Sequence, residues 1–398
     1  MVEELKIAEG FQQTDAGIIP NDWVVKPLHE VAHFENGKAH EQFIDEHGDF
    51  VVVNSKFIST EGRVKKFSKK NIFPLKKGDI TIVMSDIPKG KALAKCFLID
   101  KDDAYTLNQR IGGITANDDT DNKYLFYKLN RNKYYLAFDS GTGQTNIKRK
   151  EIIDCPVALP SSRTEQVAIS HALNNIDLLI ESIENLLVKK RNLKQGVLQK
   201  LLTPKNGWQE KQLDELGKCI IGLTYSPQNV ANAGTLVLRS SNIQNEQLTY
   251  DDNVFVQMKI PQKVITQKND ILVCVRNGSK RLIGKCCLIK GRAVDEAFGA
   301  FMSVYRSEYN EFLVHVFQSN IIKKQIEEHI GATINQITNK NLNSFIVPFP
   351  DKTERERISL ILNNMNGEIE KFENQLSKYK KLKIGMEQEL LFGKKRLI

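Results

Sequence analysis

The chain has 398 residues, 41% hydrophobic and 26% charged, which is the balance of a folded protein of two or three domains whose halves can each bury a core. Its net charge of +9 favours polyanionic partners, either nucleic acid or an anionic membrane surface. The opening MVEELKIAEG lacks the apolar centre of a secretory signal, and no run of about 18 apolar residues occurs, so neither export nor a spanning helix is expected and a cytoplasmic location is. The six cysteines form no C-x-x-C pair and read as buried reduced thiols.

In chain order, an Ile19-Pro20-Asn21-Asp22-Trp23 segment leads into short β-like runs at Phe50–Asn54, Asp79–Met84 and Ala94–Ile99, separated by Gly, Asn, Asp and Pro turns. A helical pattern covers Lys123–Asn132. After Pro160, a long amphipathic helix is expected with Thr164 as N-cap. Its apolar positions Ile169, Leu173, Ile176, Ile180, Ile183 and Leu187 step alternately by four and three, which keeps one stripe facing a partner helix. Strand-like runs return at Thr235–Leu238, Asp270–Val275 and Lys285–Ile289, followed by a helical pattern over Glu311–Gly331. Pro350 then precedes a second long helix, with Thr353 as expected N-cap and the stripe Ile358, Leu362, Met365, Ile369, Phe372 and Leu376.

The chain is therefore written twice. Trp23, Leu28 and Gly37 return at one shared offset as Trp208, Leu213 and Gly222. Lys95–Ile99 returns as Lys285–Ile289, and Val157–Pro160 as Val347–Pro350, at a second and slightly larger offset. Leu173-Asn174-Asn175 returns as Leu362-Asn363-Asn364, Gly196 as Gly385 and Leu201-Leu202 as Leu390-Leu391, again with a single spacing common to all three. The expected fold is α+β: two mixed, mostly β globular domains at residues 1–160 and 204–350, with helical spacers at 161–203 and 351–398. The first helix would be about 58 Å long at about 1.5 Å per residue, too long for one domain to cover, so the two helices should pair antiparallel.

These residues resemble a known family. The Ile-Pro-x-x-Trp segment, Gly141-Thr142-Gly143-Gln144-Thr145-Asn146-Ile147, Glu165-Gln166 and the helix end Gly196–Thr203, in this order and in duplicate, are similar to the specificity subunit of type I restriction–modification enzymes. The second copy departs from the pattern, with Gly331–Ile337 in place of the Gly-Thr-Gly-Gln segment and Glu354-Arg355 in place of Glu-Gln. The resemblance implies a non-catalytic subunit that reads a bipartite, asymmetric site in double-stranded DNA through two target recognition domains. It further implies two modification subunits carrying S-adenosylmethionine and methylating adenine, and restriction subunits using ATP and Mg, with no cofactor bound by this chain.

On that reading, Arg276, Asn277, Ser279, Lys280 and Arg281 crowd a turn after a strand, where Arg and Asn suit bidentate contacts to guanine and adenine. Their counterparts Lys89 and Lys91 suit phosphate contacts. Gln144, Thr145, Asn146, Lys148 and Arg149, with Thr333, Asn335, Gln336 and Lys340 as second-copy equivalents, combine small polar and basic groups on a Gly frame. Lys65, Lys66 and Lys69 form a basic cluster that fits phosphate or a charged edge strand equally.

The chain has no [DNS]-P-P-[YF] motif for a flipped adenine, no G-x-x-x-x-G-K-[ST] loop and no H-E-x-x-H metal spacing. Three other readings stay open at this point: an enzyme, such as a nuclease or methyltransferase with divergent motifs; the recognition subunit of another bipartite restriction system; and a two-headed scaffold that binds proteins.

Overall fold

The structure, a computed structural model, describes residues 7–87, 90–139, 141, 143–330 and 335–397. Its contacts divide the chain into two units: residues 1–183 with 375–398, and residues 184–374. Sequence reading set the long helices apart as spacers; in the structure each of them gives one part to each unit.

In the first unit, Val24–Pro27 pairs antiparallel with Pro156–Leu159 and so closes the globular part just ahead of the first long helix. The main sheet is four-stranded and antiparallel, in the order Ala32–Asn36, Ile111–Ala116, Ile80–Val83, Cys96–Leu98. All four residues of Ile80–Val83 are buried, as in a strand covered on both faces, and the hydroxyl of the one polar residue, Thr81, donates to the carbonyl of Phe97 at 3.2 Å. Ile80 and Ile82 join a core with Tyr124 and Leu125 of the helix Asn122–Leu129, whereas Val83 joins a second core with Val53, Phe57 and Leu107. That second core lies against a small mixed sheet, in which Tyr105–Leu107 runs parallel to Phe50–Val53 and Phe67–Ser68 pairs antiparallel with it.

The second unit repeats the plan. Gln209–Gln212 pairs with Ile346–Phe349, and the main sheet runs Lys218–Ile221, Met302–Arg306, Ile271–Cys274, Cys286–Leu288. Register is kept as well as order: Ile111 lies opposite Val83, and Met302 opposite Cys274, both members of the pair displaced along the chain by the same amount. The recurring glycines share one physical reason. A Cβ at Gly37 would stand 2.1 Å from the carbonyl oxygen of Asn108, and one at Gly222 would stand 2.1 Å from that of Gly299. Only a residue without a side chain lets the two backbones come this close.

Some helix boundaries differ from expectation. The long helices are Arg163–Leu201 and Lys352–Leu390, which places Thr164 and Thr353 in the first turn instead of at the cap. Asp351 caps the second, its carboxylate accepting the Glu354 N–H at 2.9 Å. The pattern over Glu311–Gly331 is two helices, Asn310–Phe317 and Asn320–His329, parted at Ser319, whose hydroxyl accepts the Ile321 N–H. The pattern over Lys123–Asn132 likewise ends at Leu129, and Asn132 caps the short helix Lys133–Leu136. Ser and Asn offer the backbone a local partner that competes with helix continuation.

The apolar stripe is covered from two sides. Ile169 and Leu173 enter the first unit's core together with Leu390, the last residue of the second helix, and Leu391 just after it; Leu198, Leu202, Ile358 and Leu362 do the same in the second unit. Ile176, Ile183, Leu187 and Ile369 are buried, while Ile180, Met365, Phe372 and Leu376 are half-buried. The helix segments run antiparallel within each unit. In the first, Asp177 meets Lys383 at 2.6 Å and Glu165 meets Arg396 at 2.7 Å; in the second, Lys190 meets Glu368 and Lys205 meets Glu354, both at 2.6 Å. Lys194 of the first helix is buried and paired with Glu246 at 2.5 Å.

Two of the resembling motifs have structural roles. Ile19 and Trp23 are buried. Gln166 donates to the carbonyl of Pro160, and Arg355 makes the equivalent bond to Pro350 while lying 4.2 Å from the Phe349 ring centroid. The Gln-to-Arg departure therefore keeps the backbone contact. Truncating Leu173 or Leu362 to alanine should cost about 2–5 kcal/mol of stability, while Leu193→Ala, on an exposed position, should change it by less than about 0.5 kcal/mol. Urea denaturation checks this, and equal losses at all three positions would contradict the packing described.

Candidate nucleic-acid interface

Two segments far apart in sequence meet in each unit. In the first, Ser85–Asp86 pairs antiparallel with Thr145–Asn146, and the Ile147 N–H donates to the carbonyl of Met84 at 2.8 Å. Gln144 reaches across and donates to the Ser85 hydroxyl at 2.7 Å. Asp86 organises the loop that follows, its carboxylate accepting the N–H groups of Ile87, Ala92 and Leu93 at 2.7 to 3.1 Å. A Cβ at Gly90 would strike that carboxylate at 2.1 Å, so the loop needs glycine there. Asp139 does similar work for the other segment. It accepts the Gly141 N–H and the Thr145 hydroxyl, and these bonds hold its carboxyl below the usual carboxylate range.

The second unit has the same junction with different side chains. Arg276 bridges to Gln336, and the Ile337 N–H donates to the carbonyl of Val275 at 2.9 Å. Asn335 donates through its side chain to the carbonyl of Gly278 at 3.0 Å. A turn at Asn277–Ser279 leads into a single 3-10 turn at Lys280–Leu282. Beside each junction begins a short helix, Arg149–Ile153 or Asn339–Asn343.

The sequence candidates sort by exposure. Gln144, Asn146, Lys148, Arg149, Arg276, Lys280, Arg281 and Lys340 are exposed, as is Lys91; Ser279, Asn335 and Gln336 are half-buried. Thr145 must be corrected: it is buried and its hydroxyl is held by Asp139, so it shapes the loop from beneath. Asn277 is similarly committed, donating to the Ser240 hydroxyl and accepting the Ser279 N–H, both at 3.1 Å. Lys65, Lys66 and Lys69 are exposed beside the strand Phe67–Ser68 of the small sheet, a different sheet from the junction, and Lys69 pairs with Asp45 at 2.8 Å. Lys89 and Thr333, with Thr142, lie outside the described residues.

Sequence reasoning passed over two neighbours of the junctions. The carbonyl of Arg110 accepts the Met84 N–H in the first unit, and that of Phe301 accepts the Val275 N–H in the second. Both residues are exposed. Among the described residues, no three His, Cys, Asp or Glu side chains gather to hold a metal, and no helix is long and apolar enough to cross a membrane.

Paired loops with exposed donors on a duplicated frame define a tandem two-domain protein, and comparison with known proteins agrees with that class. The model of the type I restriction modification DNA specificity domain matches twice, over residues 20–189 and 205–378. The chain is 23% identical to the type I restriction enzyme MjaVIII specificity subunit of Methanocaldococcus jannaschii, across 98% of this chain and 96% of that one. It is 27% identical over 186 residues to the putative type I specificity subunit S.MpnORF638P of Mycoplasma pneumoniae, 46% of each chain. The fold matches the crystal structure of the type I restriction-modification S subunit from M. genitalium, with a TM-score of 0.62 at 17% identity over 98% of both chains. It also matches a chain from work on complex assembly and conformational transition of the type I R-M system, with a TM-score of 0.55 at 16% identity over 94% of this chain and 99% of that one. The chain belongs to the type I restriction–modification DNA specificity family.

Replacing Asp86 with alanine should release the loop it organises. Amide hydrogen exchange at Ala92 and Leu93 is expected to accelerate, at a stability cost of about 1–3 kcal/mol for the donors left unpaired. Unchanged exchange at both amides would show that the carboxylate does not hold the loop.

Proposed function

We propose that the two units read the two halves of one split, asymmetric DNA site, while partner subunits carry out the chemistry. One observation supports this above others. Ser85-Asp86 and Arg276-Asn277 occupy the same place in the same frame, yet they differ in charge and hydrogen-bonding character. A shared frame gives both units the same approach to a duplex, and unlike donors and acceptors select unlike base edges. Two different readers on one polypeptide suit a non-palindromic target.

The roles follow from chemistry. Arg276 presents a planar fork that matches the O6 and N7 acceptors of guanine. Lys148, Arg149, Lys280 and Arg281, all exposed, supply charge to phosphates. The long helices serve as docking faces. Leu193 and Leu382 stand at equivalent positions on the two helices, 61% and 48% exposed, and an apolar residue left in water at the same place twice suits two copies of one modification subunit. In this reading the modification subunits bring S-adenosylmethionine for adenine methylation and the restriction subunits bring ATP and Mg. This chain then needs no cofactor, and it works in the cytoplasm, where the DNA is.

Mapping methylated adenines in DNA modified by the assembled complex should give a split, asymmetric motif; a continuous palindrome would overturn the proposal. In the same complex, Arg276→Ala should cost about 1–3 kcal/mol of cognate binding and relax one half-site only. Lys280→Ala should weaken all sequences alike and flatten the slope of log K against log salt by about 0.9.

A further inference from the structure

Phe301 is a large aromatic residue with 56% of its surface in water. It lies in the turn joining Ala297–Phe298 to Met302–Arg306. Phe298, Phe312, Phe317 and Phe345 of the same unit are buried, so this ring is not core that happens to reach the surface. The carbonyl of Phe301 accepts the N–H groups of both Val275 and Arg276 at 3.1 Å, which fixes it against the segment carrying Arg276. The Arg276 guanidinium stands 4.9 Å from its ring centroid. A ring under a guanidinium restrains that side chain and leaves its donors free at the edge.

The first unit shows that the frame does not require this ring. There the equivalent carbonyl belongs to Arg110, and Ser85 stands where Arg276 does. The aromatic and its cation are a property of one reader alone.

We infer that Phe301 is a further specificity-determining residue of the second unit: its ring edge packs on the 5-methyl group of a thymine next to the base pair read by Arg276. This rests on the reading of the paired loops as DNA-facing. Thymine is the base that offers an apolar group in the major groove, so an exposed apolar edge set among polar readers selects it. The ring does not serve as a wedge between base pairs. A wedge needs both of its faces against bases, and the guanidinium covers one.

The test replaces each thymine of the second half-site in turn with deoxyuridine, which lacks only the methyl group. Binding of the assembled modification complex is measured for wild type, Phe301→Ala and Phe301→Leu. One substitution should weaken the wild type roughly fourfold, the worth of one buried methyl-sized group, and leave Phe301→Ala unaffected. Phe301→Leu should retain part of the sensitivity. The methylated motif of Phe301→Ala should lose discrimination at that position and keep the first half-site intact. Wild-type binding indifferent to every deoxyuridine, a second half-site without thymine on either strand, or an equal loss in wild type and Phe301→Ala would each overturn the inference. None of those outcomes touches the broader reading, which instead falls if the wild-type complex yields no split motif.

Discussion

An apolar stripe that recurs every three or four residues along a 39-residue helix must be covered over its whole length, and the rest of the chain is arranged around that need. One domain covers one end of it. Ile169 and Leu173 reach the first unit's core, and Leu198 and Leu202 the second's. Between these, the other long helix, whose own stripe has the same spacing, is joined to it by ion pairs, Asp177 with Lys383 and Lys190 with Glu368. This accounts for where the repeat tolerates insertions. The distance between matched residues drifts through the globular parts and then holds constant along the helices, where one added residue would turn the stripe by about 100° away from its cover.

The same economy divides the globular parts into frame and reader. Strand order, register and the glycines that admit a second backbone are common to both units. The units differ in the smaller sheet, three-stranded in the first and four-stranded in the second, and in the side chains at the junction of two loops. Even there the loop is held by buried or committed groups, Asp86 and Thr145 in one unit and Asn277 and Asn335 in the other, while exposed groups beside them are free to differ. A reading surface built in this way can change its preference without disturbing the sheet beneath it.

Much of this was legible in the sequence because it depends on local pattern. The strands at Phe50–Val53, Ile80–Val83, Thr235–Leu238 and Ile271–Cys274 show as short apolar runs between turn residues, and the helices show as a stripe. What could not be read depends on which distant residues meet. Thr145 looked like a polar loop residue until Asp139 folded over it. Phe301 sits within the apolar run Ala297–Tyr305 and reads as one more core residue, because pattern does not reveal that its turn faces outward beneath Arg276. The pairing of Glu165 with Arg396 joins residues 231 positions apart in sequence, and no local signal announces it.

That long-range pairing bears on how the protein is made. Lys128 donates to the carbonyl of Leu391 and lies over the Phe392 ring, while Arg396 grips both Glu165 and Asp22. The first unit thus draws on residues 375–397, whereas residues 184–374 form the second unit as one uninterrupted stretch. On the ribosome, the half translated earlier must wait with part of its apolar surface uncovered while its younger neighbour emerges and completes itself. The first unit therefore closes only once residues 375–397 have been made, after every residue of the second.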